Sequence, residues 1–127
     1  MSAVLVDTSV WVGHFRRANP ELGSLLENDG VLCHPLIVLE LACGTPPAPR
    51  ERTLSDLRML RQAKVATTEE VLSLIETERL YDNGCGAVDI ALLASVLMTP
   101  NARLWTDDRN LQALAARLGV VFEVSGK

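Results

Sequence analysis

The stretch Val4-Leu5-Val6-Asp7-Thr8-Ser9 places an apolar run directly before a carboxylate and two hydroxyl side chains. A short hydrophobic run of this kind predicts a buried β-strand that ends at Asp7. In open α/β sheets, ligands bind outside the carboxyl ends of the strands. The stretch therefore puts these three polar side chains at the sheet edge where a site would form.

Other acidic residues also lie in apolar surroundings. They are Glu40 within Ile37–Leu41, Asp89 within Ala87–Ala91, and the pair Asp107-Asp108 after Leu104-Trp105-Thr106. A carboxylate is costly to bury unless it is paired or binds a metal, and Arg109 is the only cation within these motifs. Unit charges about 4 Å apart repel by roughly 4 kcal/mol at an effective dielectric near 20. Because Mg²⁺ prefers oxygen ligands, the acids predict a shared Mg²⁺, with Mn²⁺ as the alternative.

Four segments, taken in order, resemble the PIN-domain ribonucleases, especially the small VapC-type toxins of prokaryotic toxin–antitoxin pairs. The matching segments are Asp7–Trp11, Glu40–Gly44, Val88–Ala94 and Leu104–Arg109. The resemblance runs from residue 4 to about residue 122 and implies a metal-dependent endoribonuclease. The acids that it assigns to catalysis and to metal binding are Asp7, Glu40, Asp89 and Asp108.

The last motif fits the family's Thr-x-Asp pattern at Thr106 and Asp108, which leaves Asp107 in the variable position. Asp107 either assists through a water or only adds a surface charge. The hydroxyls of Thr8, Ser9 and Thr106 are candidates for orienting carboxylates or waters from behind the ligands. Ordinary turn and capping chemistry is the alternative for all three.

Each principal acid also has a simpler explanation. Asp7 could cap the helix that follows it, and Asp89 could be a first-turn acid favoured by the helix dipole. Glu40 falls in the middle of a predicted helix, among apolar neighbours that should face the core, and could extend to the surface instead. Trp11 and Trp105 could stack on bases, but their apolar settings favour core packing.

Composition favours one domain over residues 1–127, since domains most often have roughly 100–150 residues and 48% of this chain is hydrophobic. No apolar run approaches the ~20 residues of a membrane helix. The N-terminus lacks a signal-peptide pattern, so we expect a cytoplasmic protein. The three cysteines show no Cys-x-x-Cys spacing, and Cys33 and Cys43 are predicted to be buried free thiols.

The net charge of −4 argues at first against RNA, because phosphate binding usually leaves a basic footprint. Divalent cations bound by the acids would remove much of that excess. Basic residues also cluster in the middle of the chain, at Arg50, Arg52, Arg58, Arg61 and Lys64. This cluster is either a solvated helix face, which we favour, or a surface that contacts phosphates.

The chain alternates predicted strands and helices. Predicted strands are 3–7, 31–33, 64–66, 103–105 and 120–122. Predicted helices are 9–17, 20–28, 35–43 and 50–62, a helix capped by Thr67 that ends near 83, a helix from about 88 whose pattern runs to 97, and a helix whose pattern runs over 111–118. Strands separated by helices favour a parallel sheet covered on both faces. We therefore expect a PIN-like three-layer α/β/α fold with four or five short strands.

Two other functions compete with the nuclease. An aspartyl phosphatase needs a second Asp two residues after the first, where this chain has Ser9, and a receiver domain needs a late-strand Lys that is absent. A PIN-like scaffold that only binds RNA or protein would be marked by a missing acid, and none is missing. The resemblance also implies a homodimer, an RNA substrate and a cognate VapB-type antitoxin.

Overall fold

The computed structural model describes residues 3–124. Its elements, in order, are β1 Ala3–Val6, α1 Thr8–Arg16, α2 Pro20–Glu27, β2 Val31–Cys33, α3 Pro35–Ala42, α4 Arg50–Met59, β3 Arg61–Gln62, α5 Thr68–Glu78, α6 Ala87–Met98, β4 Ala102–Trp105 and α7 Arg109–Arg117. No helix between residues 3 and 124 is both long enough and apolar enough to span a membrane.

The described strands form one parallel sheet in the order β3-β2-β1-β4. β1 lies between β2 and β4, with Leu5 opposite both Leu32 and Leu104. All residues of β1 are buried, so side chains cover both faces of the sheet, as is usual when helices connect parallel strands. The predicted α/β fold with a parallel sheet of four or five strands is confirmed.

Local sequence explains where most helices begin. Thr67 and Glu70 form the predicted capping box of α5, in which each side chain binds the other's backbone N–H. Asn19 accepts hydrogen bonds from the first turn of α2, and Pro20 opens that helix at a position where its missing N–H costs little. At the far end of the chain, Gly119 follows α7 with a φ of 75°, a backbone conformation that glycine adopts readily.

The middle of the chain differs from the prediction. The helix predicted over 50–62 ends at Met59, and the third strand is Arg61–Gln62 rather than 64–66. Register explains the shift, because Arg61 and Gln62 pair with the last two residues of β2. In the segment predicted as a strand, two backbone N–H groups bind side chains in and directly after α6. The Lys64 N–H donates to Thr99 Oγ1, and the Ala66 N–H donates to Ser95 Oγ.

Two further boundaries were predicted wrongly. Helix α5 ends at Glu78 rather than near residue 83, because Arg79 adopts a left-handed conformation and the Leu80 N–H bonds to Ile75 O. Leu80, 3% exposed, then enters the core. The strand predicted over 120–122 is reduced to one bridge, between Leu104 and Val121.

The cysteine prediction was correct for one residue and wrong for the other. Cys33 lies in β2 and is buried, but Cys43 is exposed. Cys43 follows α3 as its C-terminal cap, on the side of the chain that turns toward solvent before the proline-rich loop. Burial also raises the pKa of the Cys33 thiol.

Candidate functional site

Asp7 lies directly after β1 and is 5% exposed. Two hydroxyls donate to the same carboxylate oxygen: Ser9 Oγ to Oδ2 at 2.8 Å, and Thr106 Oγ1 to Oδ2 at 2.7 Å. Asp7 occupies the N-cap position of α1, but its side chain accepts no N–H from that helix. The simpler explanation, a capping aspartate, therefore does not account for this buried carboxylate.

The two hydroxyls also connect Asp7 to the backbone after β4. Ser9 Oγ accepts the N–H of Asp107 at 3.0 Å, and Thr106 Oγ1 accepts the N–H of Asp108 at 3.1 Å. Each hydroxyl thus donates one hydrogen bond to the carboxylate and accepts one from the backbone. Because β1 and β4 are adjacent and parallel, this arrangement joins their carboxyl ends.

Asp108 and Asp89 both stand at helix starts, and both bind backbone N–H groups there. Asp108 caps α7 by accepting the Leu111 N–H on Oδ1 at 2.9 Å. Asp89, in the first turn of α6, accepts the Gly86 N–H on Oδ2 at 3.4 Å. These capping roles engage one oxygen of each carboxylate and leave the other available.

Glu40 lies at the surface, and the expectation that its apolar neighbours face the core is correct for only some of them. Ile37 and Leu41 are the buried residues of α3, whereas Glu40 is exposed and Leu39 is 59% exposed. The helix is apolar around most of its circumference, so its pattern could not indicate which side was buried. Thr8 Oγ1 donates to Glu40 Oε1 at 2.6 Å, which directs this carboxylate toward the start of α1.

The charges of the other three principal acids reach Asp89 and affect its pKa. Partial burial is the largest cause raising this pKa, and the Gly86 N–H opposes it. The charges of Asp7, Asp108 and Glu40 each raise it further. Residues that are far apart in the sequence therefore act on one another through space.

No protein-family model matches the chain. Two curated relatives do, both named Ribonuclease VapC32, from Mycobacterium tuberculosis strains CDC 1551 / Oshkosh and ATCC 25618 / H37Rv. Each is 47% identical over 117 residues, which cover 92% of this chain and 94% of the relative. The chain belongs to the VapC-type PIN-domain ribonucleases.

A solved structure supports the fold of this VapC-type chain. PAE2754 from Pyrobaculum aerophilum aligns with a TM-score of 0.58 and covers 92% of this chain and 89% of its own. At 18% sequence identity, this likeness concerns the fold alone. It agrees with the parallel sheet that brings the carboxyl ends of β1 and β4 together.

The acids of this VapC-type chain match Mg²⁺ in donor chemistry. Their ligand atoms are carboxylate oxygens, and among residues 3–124 no Lys or Arg forms an ion pair with any of the four. In the same part of the chain, no three His, Cys, Asp or Glu side chains lie close enough to hold an ion as they stand. Mg²⁺ usually binds one or two carboxylates and keeps several waters, so the residues fit such an ion without a closed cage of ligands.

The remaining predicted residues are divided between the site and its surroundings. Thr8, Ser9 and Thr106 each bind a site carboxylate. Asp107 is exposed, and its backbone N–H, rather than its carboxylate, joins the network through Ser9. Trp11 and Trp105 are 3% and 4% exposed, so the prediction of core packing is confirmed.

Two residues near the acids were missed in the sequence. Gln112 Nε2 donates to the Thr106 carbonyl oxygen at 2.7 Å and so supports the turn after β4. Cys85 lies close enough to the site that burial first, and then the charges of Asp89 and Asp108, raise its pKa to about 11. No spacing signal marks Cys85, whereas Gln112 faces the turn because it lies one helical turn beyond the cap at Asp108.

Proposed function

We propose that this chain is a divalent-metal-dependent endoribonuclease and the toxin of a toxin–antitoxin pair, with residues 1–127 acting as one domain. The observation that carries the proposal is the grouping of the acids around Asp89, whose pKa is raised first by burial and then by the charges of Asp7, Asp108 and Glu40. Such a cluster is unfavourable without a cation and useful with one. The name of the two curated relatives, Ribonuclease VapC32, supports RNA as the substrate.

Each residue has a definite task in this proposal. Asp7 is held in one orientation by two hydroxyls, so its carboxylate is preorganised without a protein cation beside it. Asp89 and Asp108 each use one oxygen at a helix start, and their other oxygens would be the ones that bind the ion. Glu40 is held by the Thr8 hydroxyl.

A bound Mg²⁺ or Mn²⁺ would supply two things there: charge neutralisation at the scissile phosphodiester and activation of the attacking water. The carboxylates would hold the ion and orient that water. None of them needs to form a covalent bond to RNA. His14 and His34 are assigned no acid–base role in cleavage, since the Nδ1 atom of each accepts a backbone N–H group at a helix boundary.

The proposed antitoxin would occupy a groove that is lined in part by one of the acids, Glu40. This groove has a volume of about 380 Å³, and Thr8 also lines it. Its other walls include Val12, Phe15, Leu41 and Pro46, together with Arg16. An apolar segment carrying an Arg would bury its apolar side chains here and pair the guanidinium with site carboxylates.

The test is cleavage of RNA by the purified chain with and without metal. We expect cleavage with Mg²⁺ or Mn²⁺, none in excess EDTA, and recovery when the metal is restored. Asp7→Asn keeps the shape of the side chain but removes its charge, so activity should fall by orders of magnitude. Glu76→Gln, at an exposed position in α5, is the control and should cleave at the wild-type rate.

Cleavage that persists undiminished in excess chelator would contradict the metal mechanism. A chain that binds RNA tightly but cleaves none under any metal condition would support the non-catalytic scaffold instead. Near-normal turnover by Asp7→Asn would show that this residue orders the turn after β1 without acting in catalysis.

A further inference from the structure

His34 is buried, 1% exposed, and its ring connects two parts of the chain. Nδ1 accepts the N–H of Leu36 at 3.0 Å and so caps α3. An accepting Nδ1 carries no proton, so the neutral ring carries its proton on Nε2. Nε2 lies 3.0 Å from Ser95 Oγ, and it must therefore be the donor in that bond.

Ser95 is fully buried in α6 and takes part in several hydrogen bonds. Its Oγ accepts from His34 Nε2 and also from the N–H of Ala66, in the segment that enters α5, at 3.3 Å. Thr99 Oγ1 donates to the Ser95 carbonyl oxygen at 2.7 Å. One buried hydroxyl thus joins α3, α6 and the entry to α5.

The two helices that this pair joins each carry a site acid. Glu40 lies six residues after His34 on α3, and Asp89 lies six residues before Ser95 on α6. At a rise of about 1.5 Å per residue, each acid is roughly 9 Å along its helix from the linked pair. Because a helix is stiff over that length, the hydrogen bond restrains the two acids relative to each other.

We propose that His34 and Ser95 are positioning residues, which set the separation of Glu40 and Asp89 by locking α3 to α6. This inference rests on the proposed function, since it concerns the geometry of the same acidic site. Glu40 already acts on Asp89 through space, so their separation affects the charge at the site. A shift of about 1 Å in a group that positions reactants can cost about a hundredfold in rate.

The two roles of the His34 ring can be separated with a pair of variants. Asn ends at the δ position, so His34→Asn can still accept the Leu36 N–H but cannot reach Ser95. Gln ends at the ε position, so His34→Gln can donate to Ser95 Oγ but loses the acceptor at Nδ1. Ser95→Ala removes the same link from the other side and leaves the cap in place.

Thr99→Val is the matched control. It removes two hydrogen bonds close to Ser95, to the Ser95 carbonyl oxygen and from the Lys64 N–H, but neither of them reaches α3. Four quantities are measured for each variant: kcat and KM for RNA cleavage, Mn²⁺ affinity by electron paramagnetic resonance, and Tm. A purely structural role would make the losses of activity follow the losses of Tm.

We expect Ser95→Ala and His34→Asn to lower kcat and weaken Mn²⁺ binding about tenfold or more, with KM within twofold of wild type. His34→Gln and Thr99→Val should keep most of the wild-type kcat and most of the wild-type Mn²⁺ affinity, even where their Tm falls. Wild-type kcat and Mn²⁺ affinity in folded Ser95→Ala would overturn the inference, as would losses that rank with Tm alone. If the wild type cleaves no RNA, the proposed function fails and the Mn²⁺ affinities alone decide the inference.

Discussion

At the scale of single residues, the site depends on which oxygen of each carboxylate accepts hydrogen bonds and which is left for a metal. Asp7 Oδ2 accepts hydrogen bonds from the Ser9 and Thr106 hydroxyls, and no residue from 3 to 124 donates to Oδ1. Asp108 Oδ1 accepts the Leu111 N–H and so caps α7. Capping and metal binding are therefore compatible in one aspartate, which is why sequence spacing alone could not separate them.

Asp107 and Asp108 provide the sharpest residue-level prediction. Asn caps helices about as well as Asp, so Asp108→Asn should leave α7 intact while it removes a charge from the site. We expect this variant to lose far more cleavage activity than Asp107→Asn, with both folded as judged by circular dichroism. The reverse order would mean that the assignment is wrong by one residue.

Asp89 gives a prediction about stability without metal. Its folded pKa is raised, mainly by burial and also by the neighbouring acids. A raised carboxyl pKa adds stability that is present below the unfolded value and is lost as pH rises through the folded value. Asp89→Asn should therefore have a higher Tm than wild type at pH 7 in EDTA.

Added Mg²⁺ should raise the Tm of the wild type and reduce or reverse that difference. The Glu76→Gln control, away from the acids, should show neither effect. A lower Tm for Asp89→Asn in EDTA would show that the bond between Asp89 Oδ2 and the Gly86 N–H outweighs the repulsion.

At the scale of elements, prediction from sequence worked where local chemistry decides and failed where a distant partner decides. The capping box at Thr67 and Glu70 and the strand that ends before Asp7 could be read from a few adjacent residues. The third strand could not, because its position is set by register against β2. The exposed side of α3 could not be predicted either, because apolar residues lie around most of the helix and do not mark one side as buried.

The same distinction applies to the site. Motif order selected the candidate acids, but the hydroxyl partners of Asp7 come from residues 97 positions apart, Ser9 and Thr106. The link from His34 to Ser95 spans 61 positions and carries no local signal. A buried histidine that binds a buried serine becomes visible only when two helices are seen side by side.

His34 also gives a pH prediction at the level of α3. Burial lowers its pKa below 6.5, so the folded state binds the proton less well than the unfolded state does. Its contribution to stability is fully present above about pH 6.5 and is lost as pH falls below that value. We expect the free energy of unfolding in urea to fall more between pH 7.5 and pH 5.5 for the wild type than for His34→Gln.

Comparing the two proteins isolates His34, because every other ionisable side chain is the same in both. The neighbouring thiol of Cys33 does not interfere, since its pKa is raised and it stays neutral throughout this range. Equal losses of stability in the two proteins would show that protonation of His34 has no cost in the folded state.

At the scale of the whole molecule, the acidic site and the adjoining groove predict separable properties. Expression of the chain alone should arrest growth, and co-expression of a cognate antitoxin should rescue it. Asp7→Asn should be harmless yet still bind the antitoxin, because most of the groove is apolar and lies outside the acids. Colony counts and co-purification with the antitoxin measure the two properties.

Asp107→Asn is the matched control and should remain toxic. Growth arrest by Asp7→Asn as strong as that by the wild type would place toxicity outside the acidic site. Loss of antitoxin binding by Asp7→Asn would mean that this carboxylate carries most of the contact.

The pairing of β1 with β4 has a consequence for how the protein is made. Asp7 leaves the ribosome before Thr106, which lies 99 positions later in the chain and directly follows the strand Ala102–Trp105. At about 5–20 residues per second, synthesis of that interval takes roughly 5–20 seconds. Until it is complete, Asp7 lacks one of the two hydroxyls that hold its carboxylate, so the site is assembled only after this strand has been made.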